Sequence, residues 1–439
     1  MISILHFQPL SSCIISYSLA ENAKVVYAKI VYTYASSSYL PRLVESKLSR
    51  ALAQFPIVIL DGARATGKTT TASRLAASVV RFPKDLDSLR VNPEKFLRSL
   101  TPPVLIDEWQ LAGADFLWTL KNIVDEHPRA GSFILTGSVE PATYGPTYPL
   151  TGRALQVTMW PMTAGEMAGA GNEPTFLARL IAGDLPDITA GKRADFDVRQ
   201  LFNTGFPAAR SLEDPAMFLE SYAATVAQRA GDEGRDASRF YRTASVLATL
   251  EGQAVPDQRI WEAADINKAT WKNYQDLLAR TWLSANLQAF SSNRLARITD
   301  YPKRFFCDTA LALALAKLTP AELERDHMLL GRYFESYAVA QLRPQASALS
   351  AAMYHVRTSG GAHEVDLLIE TSQGMIACEA KAVSSPTMRD AKHLIWLQEK
   401  MGDRFLAGLV IHTGADVREL AKDIYAIPIA LIAYRHENS

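Results

Sequence analysis

The octet Gly62-Ala63-Arg64-Ala65-Thr66-Gly67-Lys68-Thr69 constrains this chain more than any other feature. It fits the spacing G-x-x-x-x-G-K-S/T, follows the apolar run Pro56 to Leu60, and opens the amphipathic stretch KTTTASRLAASVV. Glycines let backbone N–H groups turn toward anionic oxygens, a lysine reaches the outer phosphates, and a hydroxyl holds Mg²⁺. An accidental match is expected in about one or two of a hundred chains of this length at average residue frequencies. The strand before and helix after make a mere glycine turn the weaker reading. Gly62, Ala63, Arg64, Ala65, Thr66, Gly67, Lys68 and Thr69, with Thr70 after them, are therefore the candidate nucleotide-binding residues, and ATP with Mg²⁺ the candidate ligands.

Two further segments supply parts that such a site needs. The buried run Val104-Leu105-Ile106 ends in Asp107, a candidate Mg²⁺ ligand beside Thr69, and Glu108, a candidate base for the attacking water. Phe133 to Leu135 runs into Thr136-Gly137-Ser138, where Ser138 could orient that water. Ligands of open parallel sheets bind at the carboxyl ends of the strands, where all three motifs fall. Arg153, in Thr151-Gly152-Arg153, could place positive charge on the γ-phosphate, from this subunit or from a neighbour in a homo-oligomer.

The fold class expected is α/β in three parts after a poorly specified tail, residues 1–38. Short apolar runs alternate with amphipathic helices over 39–170, which implies a parallel sheet covered on both faces. Residues 171–325 read as a helical and winged-helix-like region, with breaks around Ala182 to Asp195 and Arg229 to Asp236 and a helix, turn, helix and extended segment from Arg259 to Phe290. Strands return in 326–439 in the order helix, three strands, helix, strand and two last elements.

Composition narrows the function. Lys and Arg number 46, as do Asp and Glu, so no overall charge points to nucleic acid and a DNA partner needs a local patch. Cys13, Cys307 and Cys378 are odd in number and far apart, which predicts reduced thiols, a cytoplasmic setting and no structural zinc. The run Met1 to Ala20 is uncharged but carries five serines, which makes it too polar for a span, and it lacks the basic start of a secretory signal. No membrane partner is expected.

YLPRL, GARATGKTT, VLIDEWQ, LTGS, TGRALQV and PMTAGE, with TGFP, KNYQDLL and FFCDTAL further on, resemble the prokaryotic AAA-type ATPases with a C-terminal uncharacterised domain containing a restriction-endonuclease-like core. The resemblance runs from about Tyr39 to the C-terminus. It implies a nucleotide site of Lys68, Thr69, Asp107, Glu108 and Ser138, and it matches Arg153 to the family's Gly-Arg position. Nuclease cores of the PD-(D/E)xK type need acids for Mg²⁺ and a lysine near the water.

Glu379-Ala380-Lys381 has that form, although E-x-K alone means nothing: Glu45-Ser46-Lys47 has it too, on an amphipathic helix where we expect solvation. Strand alternation puts Glu379 and Lys381 on one face. A two-residue turn at Ser372 and Gln373 pairs residues whose numbers sum to 745, which sets Asp366 opposite Glu379. By the resemblance, Glu335 matches a further metal-site glutamate. Glu335, Asp366 and Glu379 are thus candidate metal ligands and Lys381 a candidate catalytic residue. Residues 331–439 carry 11 basic and 12 acidic residues, so no nucleic-acid surface is evident.

Trp271, Tyr274, Leu277, Leu278 and Trp282 trace a helical stripe expected in the core, and Lys268, Lys272 and Arg280 are few for docking DNA. His363 reads as a strand-edge residue. The preferred reading is a Mg²⁺-dependent ATPase, a P-loop hydrolase, coupled to nuclease-fold acids that cut or grip DNA. The alternative is a nucleotide-gated switch for a protein partner, with an inactive nuclease fold.

Overall fold

A computed structural model describes residues 39–113, 115–137, 149–184, 195–210, 212–232, 234–290, 301–358 and 362–433. The chain divides into two units, Met1–Leu40 and Pro41–Ser439, and every element named below lies in the second. Its first part runs α1 (Val44–Leu52), β1 (Ile57–Asp61), α2 (Lys68–Ser73), β2 (Ser78–Arg81), α3 (Leu86–Val91), α4 (Pro93–Arg98), β3 (Val104–Asp107), α5 (Asp115–Glu126), β4 (Phe133–Thr136) and β5 (Ala154–Thr158). The five strands form a parallel sheet in the order β2-β3-β4-β1-β5. β1 is buried along its whole length because packed layers cover both sheet faces, which is why Ile57 to Leu60 form an unbroken apolar run.

Two of these strands are corrections to the sequence reading. The helix that opens at Lys68 ends at Ser73, and Ser78 to Arg81 pairs with Val104 to Asp107 as β2. The β-branched Val79 and Val80 gain more from that half-buried edge than from another helical turn. β5 binds the other side of β1, with Ile57 opposite Ala154.

The middle holds α6 (Ala164–Met167), α7 (Phe176–Ile181), α8 (Pro215–Asp232), α9 (Ala237–Thr249), α10 (Asp257–Ala263), α11 (Lys268–Arg280), β6 (Gln288–Ala289), α12 (Thr309–Ala316) and α13 (Pro320–Arg325). The break expected at Ala182 to Asp195 falls largely outside the described residues. On α11, Trp271, Tyr274, Leu277 and Leu278 are buried as the stripe predicts. Arg280 is buried as well, with its Nε donating to Asp276 Oδ2 at 2.9 Å. After α11 the chain is extended, with antiparallel bridges between Ser284 and Phe306 and between Leu287 and Lys303.

The last part is α14 (His327–Ala348), β7 (Ala352–Arg357), β8 (Glu364–Glu370), β9 (Met375–Lys381), α15 (Lys392–Met401), β10 (Phe405–His412), β11 (Arg418–Ala421), β12 (Ile424–Pro428) and α16 (Ile429–Ala433). Its mixed sheet has the order β11-β12-β10-β9-β8-β7-β6. Ile376 and Cys378 face one core with Phe334 and Leu342 of α14, whereas Met375 and Ala377 face another with Leu394 and Leu397 of α15.

The expected borders near 170 and 325 do not interrupt the packing. β6 adds a strand from the middle part to the last sheet, and one continuous core joins Ala63 of the glycine loop, Phe240 of α9, Leu311 of α12 and Ile376 of β9. Lys47, expected in solvent, is half-buried and donates to Ser347 O at 2.8 Å, while Arg50 donates to Ala348 O at 3.1 Å. Two cations of α1 thereby cap the carbonyl end of α14, where the helix dipole favours positive charge. No helix among the described residues is long and apolar enough to cross a membrane.

Candidate functional site

The loop after β1 is bent by residues at positive φ: Gly62 at 137°, Ala65 at 61° and Gly67 at 95°. A Cβ at Gly62 would collide with the Met159 carbonyl, so this close approach requires glycine. Inside the bend Thr66 Oγ1 donates to Ala63 O at 2.8 Å. Lys68, 7% exposed, donates from Nζ to Gly62 O at 2.9 Å and Ala63 O at 2.7 Å. Burial pushes this lysine down to about 8, against the opposing pull of Glu108, Asp61 and Asp107. Thr70 is exposed in the first turn of α2.

The carboxyl ends of the neighbouring strands complete the pocket. Asp107 Oδ1 accepts from Thr69 Oγ1 at 2.8 Å and from Thr136 Oγ1 at 2.7 Å. A carboxylate and a hydroxyl in contact are hard oxygen donors of the kind Mg²⁺ takes, so this pair fits the ion. Glu108 follows in a left-handed conformation, φ 54°, and Gln110 Nε2 donates to its Oε2. Ser138 lies outside the described residues.

Arg153 does not join this group. It precedes β5 at the amino end of the sheet, its carbonyl accepting from Ile57 N at 3.2 Å, so all of β1, about 16 Å at ~3.3 Å per residue, separates it from the glycine loop. Its guanidinium pairs with Asp125, with Nη2 donating to Oδ2 at 3.0 Å. In this arrangement its guanidinium does not reach the glycine loop of its own chain.

The residues that hold the loop from behind were missed. Arg42 donates to Thr66 O at 2.7 Å, to Glu166 Oε1 at 2.9 Å and to Trp160 O at 2.8 Å. Glu166 Oε2 in turn accepts from Thr163 N at 2.8 Å in a capping box on α6. Arg42 is 4% and Glu166 2% exposed, so this is a buried, fully hydrogen-bonded pair. The available signal was YLPRL and PMTAGE, two segments noted for a resemblance whose charged residues meet here. Tyr222 of α8 donates to Arg64 O at 3.2 Å and so ties the loop to the helical part. TGFP and FFCDTAL meet likewise: Asp308 caps α12 by accepting from Leu311 N at 2.9 Å, and its Oδ2 accepts from Gly205 N at 2.7 Å.

In the last sheet the hairpin register is the one derived above, with Leu367 opposite Cys378 and Ile369 opposite Ile376. Beyond Leu367 the Asp366 carboxylate replaces the backbone ladder: its Oδ2 accepts from Ala380 N at 3.1 Å. Lys381 Nζ donates to Glu379 Oε2 at 2.7 Å. The group that organises the cluster was not foreseen. Lys303, 3% exposed, donates to Glu335 Oε1 and Asp366 Oδ1, both at 2.9 Å, and its Nζ lies 3.2 Å from Glu364 Oε1.

Burial alone would discharge Lys303, but Asp366, Glu335 and Glu364 outweigh it and raise it well above the usual lysine range. Burial likewise pushes Asp366 up, yet Lys303 and Lys381 hold it below the ordinary carboxyl range. Burial and the nearby Asp366 push Glu335 up to about 8 and Glu379 well above its ordinary value. Among the described residues no three His, Cys, Asp or Glu side chains converge on a site for one ion. Glu335, Asp366 and Glu379 therefore do not fit Mg²⁺ as a set while the Lys303 ammonium stands between two of them. His363 is part of a wall rather than a ligand: it stacks on Trp396 with ring centroids 4.2 Å apart.

Comparison with known proteins agrees with the first site. Residues 54–168 match a family described as an AAA domain. Residues 198–322 and 330–432 match two domains of unknown function, DUF8612 and DUF4143. Uncharacterized proteins of Mycobacterium bovis and Mycobacterium tuberculosis are each 25% identical over 397 residues, covering 87% of this chain and 82% of theirs. A Walker-type ATPase of Pyrococcus abyssi is similar over 63% of this chain and 96% of its own, at 15% identity and a TM-score of 0.39. Residues 54–168, which hold the glycine loop, β3 and β4, are thus similar to AAA domains.

Proposed function

We propose that the chain hydrolyses Mg²⁺-bound ATP at the loop Gly62 to Thr70 and uses the nucleotide state as a switch on the helical part and its partner. The observation that carries this is the contact of Thr69 with Asp107 at 2.8 Å, directly after the buried Lys68. Lys68 exchanges the Gly62 and Ala63 carbonyls for β- and γ-phosphate oxygens, while loop N–H groups meet the remaining charge. Thr69 and Asp107 hold Mg²⁺, which supplies neutralisation of the phosphate charge. Glu108 takes the proton of the attacking water, with Gln110 orienting its carboxylate. Arg64 carries the loop's state to α8 through Tyr222. Lys68→Ala should abolish ATP binding, and turnover surviving that change would reject the site.

For the C-terminal part, the Lys303 ion pairs favour the switch over cleavage, because the acids are already neutralised from within. Wild-type protein assayed with Mg²⁺ or Mn²⁺ on single- and double-stranded DNA and RNA should cut none of them. Cleavage lost in Asp366→Ala and Lys381→Ala, with ATP turnover intact, would establish the nuclease reading instead. DNA gripping, a cytoplasmic setting and a homo-oligomer completed by Arg153 remain parts of this reading that such assays, fractionation and sizing of the ATP-bound protein would test.

A further inference from the structure

We propose that Lys303 is a built-in counter-cation that occupies the C-terminal carboxylate cluster and keeps divalent metal ions out of it. An ammonium has three N–H donors, and three carboxylate oxygens, from Glu335, Asp366 and Glu364, lie 2.9, 2.9 and 3.2 Å from Nζ. A divalent ion would claim the same oxygens at about 2.0–2.6 Å, so ion and ammonium cannot share the position. The lysine cannot drift away. Its stem is 97% covered, and its backbone exchanges bonds with Leu287, Lys303 N donating to Leu287 O at 3.0 Å and Leu287 N to Lys303 O at 2.8 Å.

A second observation shows that the cluster has coordinating capacity the lysines leave unused. Glu379 is 2% exposed and its Oε1 has no hydrogen-bond partner, while its Oε2 is taken by Lys381. Glu379 stands on β9 beside the strand of Asp366, each one position past Leu367↔Cys378, the last pair of the ladder. Without the ammonium, the oxygens of Glu335, Asp366 and Glu364 that it gathers would be left to a hard divalent cation, a set that forms no metal site while Lys303 stands among them. Lys303 comes from the middle part of the chain, whereas the other members come from α14 and from β8 and β9 of the last part. The second part of the chain therefore decides the metal affinity of the third.

The inference deepens the switch reading, and its test does not use turnover or cleavage. Mn²⁺ is titrated into nucleotide-free, full-length protein and followed by electron paramagnetic resonance. Wild type should show no Mn²⁺ site that Asp366→Asn removes. Lys303→Met, which keeps the length of the stem without its charge, should gain one site at least about tenfold tighter than background, lost again in Lys303→Met/Asp366→Asn. Should the single variant fail to fold, Lys303→Met/Glu335→Gln relieves the buried acids and should gain the site instead. A wild-type Mn²⁺ site abolished by Asp366→Asn overturns the proposal without any Lys303 variant. So does a folded Lys303→Met protein with no added site. Neither result touches ATP binding at Lys68, and a failed ATPase assay would leave this titration standing.

Discussion

Raising the pH from 7 to 9 should weaken MgATP binding through one side chain. Lys68 sits at about 8 in the nucleotide-free loop because burial penalises its charge and two carbonyls are its only direct partners there. A triphosphate replaces those carbonyls with full negative charge, which should raise the lysine back toward its ordinary range. Binding then selects the charged form: affinity is flat well below pH 8 and falls as pH rises through it. Between pH 7 and 9 the dissociation constant should rise about tenfold, ~1.4 kcal/mol. The missing proton must be taken up on binding, about half a proton per site at pH 8 and about 0.9 at pH 9. Calorimetry in two buffers of different ionisation enthalpy measures that uptake directly, and Lys68→Arg, whose guanidinium stays charged, should abolish it. A dissociation constant constant from pH 7 to 9, with no buffer dependence of the heat, would refute the account of this loop.

Other expectations follow from single contacts. Glu108→Gln should keep ATP affinity within a few fold and slow single-turnover hydrolysis by about 10²–10⁴-fold, as read by phosphate release. Arg42→Met should strand the buried Glu166 carboxylate and cost about 3–5 kcal/mol in urea unfolding, with Arg42→Met/Glu166→Gln recovering part of it. Arg153→Ala should leave ATP affinity and turnover unchanged in dilute monomer, since its guanidinium lies at the far end of the sheet; a loss there would show that it reaches its own phosphates. Glu251, fully buried, is pushed up to about 8, chiefly by burial. The folded chain therefore holds a proton that the unfolded chain has lost, and that stability, present below about pH 4.5, is lost as pH rises to 8. Chemical unfolding from pH 5 to 9 should show the fall, and Glu251→Gln should flatten it.

What the sequence disclosed and what it hid divide along physical lines. The glycine loop was readable because its requirements are local: positive φ at Gly62 and Gly67, a lysine and a hydroxyl at set offsets, with apolar strand before and helix after. The register of β8 and β9 was readable for the same reason, since a two-residue turn leaves one pairing. β2 was hidden because Ser78 to Arg81 has the composition of a helix end as much as of an edge strand, and only Val104 to Asp107 beside it settles the choice. The Arg42–Glu166 clamp spans 124 positions, and nothing in either segment names its partner.

Lys303 is the more instructive omission, because a signal was present. It begins the run KRFFCDTALALAL, in which Phe305 to Leu313 is almost wholly apolar and, as the structure shows, buried. A lysine that opens such a run must either reach solvent along its own stem or be neutralised inside. The bridge to Leu287 turns this one inward, where an unpaired ammonium could not persist. At least one acid was therefore owed to it, and Glu335, Asp366 and Glu379 had already been placed on one cluster with Lys381 as the one side-chain cation among them. The demand of a buried lysine for buried carboxylates is thus what joins the middle of the chain to its last sheet. It also means that a metal assigned to those acids competes with a lysine for the same oxygens.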